Sequence, residues 1–534
     1  MAPASGTAEP MAVVRVIEIE NFRGVKALTW LPREGINCLI GPGDSGKSTV
    51  LEAIDLCLGA RRSLQLSDAD FLDLDVGSPI RISVTLGALP DDLKRLESYG
   101  LYLRGFNAAA GEIAEEPEAG LETVMTVQLL VDSDLEPQWT LVSNRAAAQG
   151  LSRSLAWGDR LSVAPNWLGT VNDSNLTWRR GSILNRLADE RADTSKALAK
   201  AAREMRAAFD AQDNEQLAAT LEIVAKVARS LGIPVGEEVQ ALLDAGSVSF
   251  AGGTISLHDE TGVPLRGLGL GSTRLLIAGL QREAAARASI VLIDELEHGL
   301  EPHRIMMLLG ALGAKEQPAP LQVFMTSHSP VVVRELSADQ LVVLRAIKDR
   351  HTAIAVGGVG DVQGTIRKYP EALLATTVVV CEGASEVGLL RGLDQLRIAQ
   401  GKVPIAACGC ALVDGGGAEL FSRALAFRML GYRVATLRDS DVNPNPIQEA
   451  EFVRLGGQTF QWRDRRALED ELFLSVSQPA ALALLDLAIA VKEVSLIDEH
   501  IKTASRNAVD LARVKAEFSG KLSEARADSV QLGS

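Results

Sequence analysis

Apolar and polar positions alternate first over Val13–Glu20, VVRVIEIE, the period of two that marks a strand with one covered face. The turn Asn21-Phe22-Arg23-Gly24 follows it. An apolar run, Ile36 to Ile40, then enters a glycine-rich loop, and a helix-competent stretch continues from Thr49 to Leu58. Further strands are expected at Ile80–Leu86, Val124–Val131 and Trp139–Ser143. Leu66–Phe71 reads as a loop, and Gly105–Glu122, rich in Gly, Ala and Glu, as a surface excursion.

The period lengthens between Ser182 and Leu231, where apolar residues fall at helical spacing: Leu184, Leu187, Leu198, Met205 and Phe209, then Leu217, Leu221, Val224 and Val227. This predicts two or more helices broken near Ala211–Asn214. They are too short for a long coiled-coil arm and suited to pack on themselves or on a second subunit. A strand pair is expected at Ser247–Phe250 and Thr254–His258, then a Gly-rich stretch turning helical over Leu265–Leu280. Apolar strands at Ile290–Ile293 and Val323–Met325 end in Asp294-Glu295 and in Thr326-Ser327-His328. Past a Gly-rich linker, Gly357–Gly364, buried strands are expected at Thr376–Cys381, Ile405–Val413 and Val434–Leu437. The helices Glu386–Gln400 and Ala418–Leu430 separate them, the pattern of a parallel α/β sheet.

Composition narrows the class. A chain of 534 residues exceeds one ordinary core, so several domains are expected. Apolar content of 47% with 23% charged residues fits a folded soluble protein. No apolar run approaches the roughly 18 residues of a membrane span. The first ten residues lack a basic segment leading into an apolar one, so they read as a disordered leader of a cytoplasmic protein without a secretory signal. Five cysteines without C-x-x-C spacing argue against a disulfide framework or zinc site. A net charge of −15 excludes a broadly basic nucleic-acid coat, but a local basic groove would still admit DNA.

The glycine-rich loop carries the first chemistry. Gly41-Pro42-Gly43-Asp44-Ser45-Gly46-Lys47-Ser48-Thr49 has the spacing G-x-x-x-x-G-K-[ST] between a strand and a helix. Backbone N–H groups and the helix N-terminus would hold nucleoside-triphosphate phosphates, with Lys47 on the β/γ-phosphates and Ser48 on Mg²⁺. Asp294 would hold that Mg²⁺ through water, and Glu295 would polarise the attacking water. His328 would stand by the γ-phosphate. The Gly269-x-Gly271-Ser272 turn before a helix is a second anion-binding N-terminus.

In this order the motifs resemble the ABC-type ATPase set, beginning as RecF- and SMC-like heads begin, with a strand ending in NFRG. That likeness implies Arg23 near the phosphates, and Ser272 capping ATP on another protomer of a dimer. The signature reads GLGST with Arg274 after it, a departure from LSGGQ that resembles OLD-type ATPases.

The second cluster is carboxylic. Glu382-Gly383 ends one expected strand, Glu386 opens the next helix, and Asp439-x-Asp441 ends a later strand. Parallel strands share one rim, so these acids can converge, where only divalent cations would relieve their repulsion. Two such cations serve in-line phosphodiester displacement. The pattern resembles Toprim, and the phrase YPE, strand, EG-x-S-E resembles the OLD (overcoming lysogenisation defect) nucleases, to which the Gabija nuclease subunit belongs.

That resemblance implies an α/β fold: an ABC-type head with a helical dimerisation insertion, and a C-terminal Toprim domain with a parallel α/β sheet. Its boundaries would be 1–10 leader, 11–181 and 246–365 ATPase, 182–245 insertion, and 366–534 Toprim. It implies two Mg²⁺ or Mn²⁺, with Ca²⁺ inhibitory, on Glu382, Glu386, Asp439, Asp441 and Glu469. Asp414 is a weaker candidate that would shape its turn. A late catalytic lysine is implied, with Lys502 and Lys521 both open. The implied function is ATP-regulated DNA cleavage, with a dimer or tetramer and a UvrD-like helicase as partners, in anti-phage defence or DNA processing. The alternative is a RecF-like repair ATPase whose second half binds DNA or a partner without cutting.

Overall fold

The computed structural model describes residues 12–61, 63–168, 184, 200, 204, 257, 265, 268–283, 289–347, 350–358, 363–463 and 465–518. The expected leader, most of the helical insertion, most of the strand pair at 247–250 and 254–258, and Lys521 lie outside them. The chain divides into two compact units, Met1–Ala355 and Val356–Ser534. Among the described residues no helix is long and apolar enough to cross a membrane.

Among the described residues the first unit holds thirteen strands: β1 (Val13–Phe22), β2 (Val25–Trp30), β3 (Ile36–Ile40), β4 (Ile80–Gly87), β5 (Leu103–Asn107), β6 (Glu112–Ala114), β7 (Glu122–Val131), β8 (Pro137–Leu141), β9 (Asn166–Trp167), β10 (Ile290–Ile293), β11 (Gln322–Thr326), β12 (Leu341–Ile347) and β13 (Arg350–Ala355). They form one sheet in the order β6-β5-β7-β4-β1-β2-β13-β12-β3-β11-β10-β9, with β8 on β7. Its β6-β5-β7-β4-β1-β2 part, with β8, is antiparallel, while β12, β3, β11, β10 and β9 run parallel. Every residue of β3, β10 and β11 is buried, which is why these strands read as unbroken apolar runs. Because β3, β11 and β10 are neighbours, the loops leaving their C-terminal ends meet.

The helix Lys47–Leu58 covers this region with Val50, Leu51, Ile54, Cys57 and Leu58, one apolar stripe at helical spacing. These join the core built on Ile17, Ile19, Leu39 and Phe324. Two expectations are corrected here. Gly105–Glu122 is not a loose excursion: it includes the β5–β6 hairpin, with Phe106 5% exposed against Val16 and Val124. Gly271 and Ser272 do not precede a helix but lie inside it, since Leu270–Glu283 starts one residue earlier.

The second unit is built on β14 (Thr377–Cys381), β15 (Cys410–Asp414), β16 (Arg433–Arg438) and β17 (Gln458–Gln461), in the order β15-β14-β16-β17 and parallel throughout. Cys381 is level with Asp414 on one side and Leu437 on the other, so Glu382, Asp414 and Asp439 come to one rim. The expected strand Ile405–Val413 begins later: Ala406–Cys408 is a 3₁₀ turn, and Gly409 at φ 61° reverses the chain into β15. The helices Ala384–Ala399, Leu420–Met429 and Pro446–Arg454 connect the strands, and Leu468–Ser475 follows β17. Phe421, Phe427, Tyr432 and Phe452 are buried in edge-to-face pairs beside the sheet. Three further helices, Gln478–Val491, Val494–Ala504 and Leu511–Phe518, pack through Leu485, Leu511 and Val514.

Candidate functional site

The loop after β3 is shaped by its glycines. Gly41 sits at φ 141°, and a Cβ there would come within 2.7 Å of the Leu344 carbonyl of β12. Gly46, left-handed at φ 84°, caps the following helix. Asp44 is also left-handed, and Gly43, Asp44 and Ser48 are exposed on the loop, with Thr49 half-buried behind them. Lys47 is buried, and its Nζ donates to the Pro42 carbonyl at 2.7 Å and, at 3.3 Å, to the Gly41 carbonyl and Ser45 Oγ. Burial draws its pKa down, opposed by Asp294 and Asp44.

Asp294, at the end of β10, meets this loop directly. Its Oδ1 accepts from Ser48 Oγ at 2.9 Å and from Thr326 Oγ1 at 2.6 Å. A hydroxyl and a carboxylate in contact at the start of the phosphate-loop helix suit Mg²⁺, both being hard oxygen donors. Glu295 is half-exposed and held at φ 45°, a left-handed conformation that costs a non-glycine residue about 1 kcal/mol or more. Its N–H donates to Thr326 Oγ1 at 2.8 Å.

Two residues not singled out for this task fasten that turn. Arg274, fully buried in the Leu270–Glu283 helix, donates Nη1 to the carbonyls of Leu296 and His298 at 3.0 Å and of Glu295 at 3.4 Å. Burial lowers its pKa, against the pull of Glu297, Glu295 and Asp294. Glu297 accepts from Ser327 Oγ at 2.7 Å and from the His328 N–H at 2.6 Å. The His328 side chain is exposed at the end of β11. Ser272 accepts from Arg304 at 3.2 Å within its own chain. Arg23, at φ 49°, donates Nε to Asp70 at 3.0 Å and pairs with Glu52, one helical turn beyond Ser48. The structure thus places Arg23 on two carboxylates and gives it no hydrogen bond or ion pair to the phosphate loop among the described residues.

The second site is the acidic rim. Glu382 Oε2 accepts from the Asp439 N–H at 2.8 Å, and the Glu382 N–H donates to the Leu437 carbonyl at 2.8 Å. Asp439 is pushed up to about 6, first by burial and then by Glu382, Glu386, Asp441 and Glu469. Its Oδ1 is buried without a hydrogen-bond partner. Glu386 is buried and accepts from the Gly383 N–H at 2.7 Å, capping its own helix. Asp441 and Glu469 are exposed. Arg438, almost buried, donates to the Asp439 carbonyl at 2.8 Å and pairs with Glu449, which shapes the D-x-D loop.

The donor set suits a divalent cation: an orphaned carboxylate oxygen, like charges around it, and two exposed acids able to swing inward. It is not preassembled, since no three acidic, His or Cys side chains among the described residues stand ready to hold a metal. Asp414 is spent elsewhere, accepting from the Gly416 N–H at 2.8 Å and from Lys368 at 3.1 Å. That is the turn-shaping role open to it from the start. Lys502 pairs with Asp498 at 2.6 Å on its own helix, in the three-helix group.

Comparison with known proteins sets these sites in context. The family described as "AAA domain, putative AbiEii toxin, Type IV TA system" matches residues 36–334. The chain is 24% identical over 458 residues to an OLD nuclease of Thermus scotoductus, covering 76% of this chain and 77% of that protein. It is 29% identical over 111 residues to the DNA replication and repair protein RecF of Chlorobium phaeovibrioides, covering 19% of this chain and 30% of that protein. The chain therefore spans under a third of the length of that RecF. Among solved structures, an Smc head domain derived from Pyrococcus furiosus aligns at TM-score 0.37 and 13% identity, over 67% of this chain and all of that one. RecF bound to ATP aligns at TM-score 0.33 and 13% identity, over 66% of this chain and all of that one.

Proposed function

We propose that this chain, which belongs to the AAA-domain family matched over residues 36–334, is an ATP-regulated, divalent-metal-dependent DNA endonuclease of the OLD type. The observation that carries the reading is the meeting of Glu382 and Asp439 at one rim, with Asp439 Oδ1 unpartnered and its carboxyl raised first by burial and then by four neighbouring acids. The 24% likeness to an OLD nuclease along most of both chains supports it.

In this reading Glu382 and Asp439 are the fixed ligands, and Asp441 and Glu469 close from the exposed side. Glu386 holds the strand–helix turn through the Gly383 N–H and supplies charge. Bound Mg²⁺ or Mn²⁺ would supply an activated water and neutralise the leaving oxygen. At the other site Lys47 would exchange the Pro42 carbonyl for the phosphates, Ser48 and Asp294 would hold the nucleotide's Mg²⁺, and Glu295 would orient water. Ser272 would cap a partner protomer's ATP only after leaving Arg304. A homodimer or tetramer, a helicase partner and a role in phage defence belong to the same proposal.

Supercoiled plasmid incubated with the protein and Mn²⁺ should be nicked or cut. Glu382→Gln and Asp439→Ala should abolish that while retaining ATP binding. Unimpaired cutting by either variant sinks the proposal. A second reading, a RecF-like ATPase that binds DNA without cutting, draws on the RecF likeness over 111 residues. It expects ATP-modulated DNA binding and intact plasmid in every metal.

A further inference from the structure

An acidic rim repels the phosphodiester it is proposed to cut, so cations beside it matter. The D-x-D loop is stitched to the turn after β17. The Ser440 N–H donates to the Arg466 carbonyl at 3.0 Å, the Arg466 N–H donates to Ser440 Oγ at 3.0 Å, and Ser440 Oγ donates to the Arg463 carbonyl. Ser440 lies between Asp439 and Asp441, so these bonds fix the backbone of Arg463 and Arg466 against the loop that carries both acids.

The two guanidiniums converge on a single carboxylate. Arg463 Nε donates to Glu471 Oε1 at 2.9 Å, and Arg466 Nη1 donates to Glu471 Oε2 at 3.1 Å. Two cations on one anion leave a net positive charge. Ser475 completes the set, its Oγ donating to Glu471 Oε1 at 2.7 Å and accepting from Arg463 Nη2 at 2.6 Å. The side chains are 64% and 27% exposed respectively, within reach of a ligand. Among the described residues Arg438 is committed to backbone carbonyls and Glu449, Lys368 to Asp414, and Arg423 to the Asp414 carbonyl, while Arg465 stands exposed in the same turn as the pair.

We infer that Arg463 and Arg466 form a clamp for a DNA backbone phosphate beside the acidic rim, with Glu471 holding the forks where the phosphate docks. Arginine suits this task because its planar fork matches a phosphate in two-point contact. The inference rests on the reading of the chain as a DNA-binding nuclease and adds to it the residues that receive the strand.

The test is binding of a labelled DNA duplex to the full chain, followed by fluorescence anisotropy in EDTA across a salt series. The Arg463→Ala/Arg466→Ala double variant should bind about tenfold more weakly. Its slope of log affinity against log salt should shrink by about 1 to 2, since each lost phosphate contact removes roughly 0.9. Glu471→Gln breaks the same ion pairs but frees both guanidiniums, so it should bind several-fold more tightly. Arg463→Lys/Arg466→Lys should keep the salt slope. Arg454→Ala, which removes an exposed pair with Glu451 on a neighbouring helix, should bind as wild type.

Wild-type affinity and slope in the double alanine variant overturn the clamp. So does equal weakening of that variant and Glu471→Gln, the mark of a purely structural network, or failure of the wild type to bind DNA. Because EDTA reads binding alone, a wild type that binds DNA but never cuts with Mn²⁺ removes the nuclease reading and leaves the clamp. A wild type that cuts, with a double variant that binds normally, removes the clamp alone.

Discussion

Asp439 is where single-residue chemistry is most exposed to test. Its carboxyl titrates at about 6, above the ~3.9 of an unfolded Asp. The folded chain therefore holds this proton more tightly than the unfolded one. The stabilisation is complete below pH ~4 and disappears as pH rises through about 6. At neutral pH the ionised group strains the rim, though its partial exposure screens the effect. Asp439→Asn should raise the melting temperature in metal-free buffer at pH 7.5 by about 2 °C, and leave it unchanged near pH 4. Mn²⁺ should raise the wild-type melting temperature at pH 7.5, much less at pH 5, and not at all in the variant. Scanning fluorimetry at the three pH values checks each arm, and a variant no more stable at pH 7.5 contradicts the charge crowding. The acids themselves were legible from strand ends and spacing. Arg438, Ser440 and Glu471 were not, because their partners are backbone carbonyls and side chains that only folding brings near.

At the level of elements, the loops leaving β3, β10 and β11 act as one because side chains bind them together. Glu297 ties the β10 turn to the β11 loop through Ser327 and the His328 N–H, and Arg274 ties the same turn to the Leu270–Glu283 helix. Glu297→Ala removes two charge-assisted hydrogen bonds from the loop that presents His328. ATP turnover should fall at least about tenfold, roughly 1.4 kcal/mol of transition-state stabilisation. ATP affinity should stay within about threefold, since among the described residues Glu297 makes no hydrogen bond to Lys47 or the loop glycines and acts on Lys47 only as a weak, distant charge. Steady-state turnover beside nucleotide titration separates the two, and parallel losses in both would place Glu297 in binding instead. The elements themselves were unequally legible. The central strands β3, β10, β11, β14 and β16 announced themselves as apolar runs. The edge strand β17, QTFQ, has no apolar periodicity to read, since its residues are mostly exposed. The β5–β6 hairpin was missed for a related reason: glycine and glutamate mask a segment whose buried anchor is Phe106.

At the scale of the molecule, the phosphate loop belongs to the first compact unit and the acidic rim to the second. Each sheet was legible in outline because its loops carry chemistry at strand ends, but the strand order of the first was not. Placing β13 and β12 between β2 and β3 depends on pairings more than 300 residues apart in sequence, such as His351 with Leu28. The separation of the two chemistries makes a prediction that neither site makes alone. Lys47→Ala removes the only buried ammonium among the loop residues and should abolish ATP hydrolysis. It belongs to the unit that does not carry the rim, so Mn²⁺-dependent cutting without ATP should persist at the wild-type rate within about threefold. Asp439→Ala should do the reverse, ending cutting and sparing hydrolysis. Glu295→Gln should bind ATP without turning it over, and any influence of ATP on cutting should then become lasting rather than transient. Comparing plasmid cutting over time in these three variants, with and without ATP, reads the coupling directly. If Lys47→Ala loses cutting even in the absence of nucleotide, while its melting temperature is unchanged, the two sites are not separable and the rim depends on the phosphate loop for more than ATP.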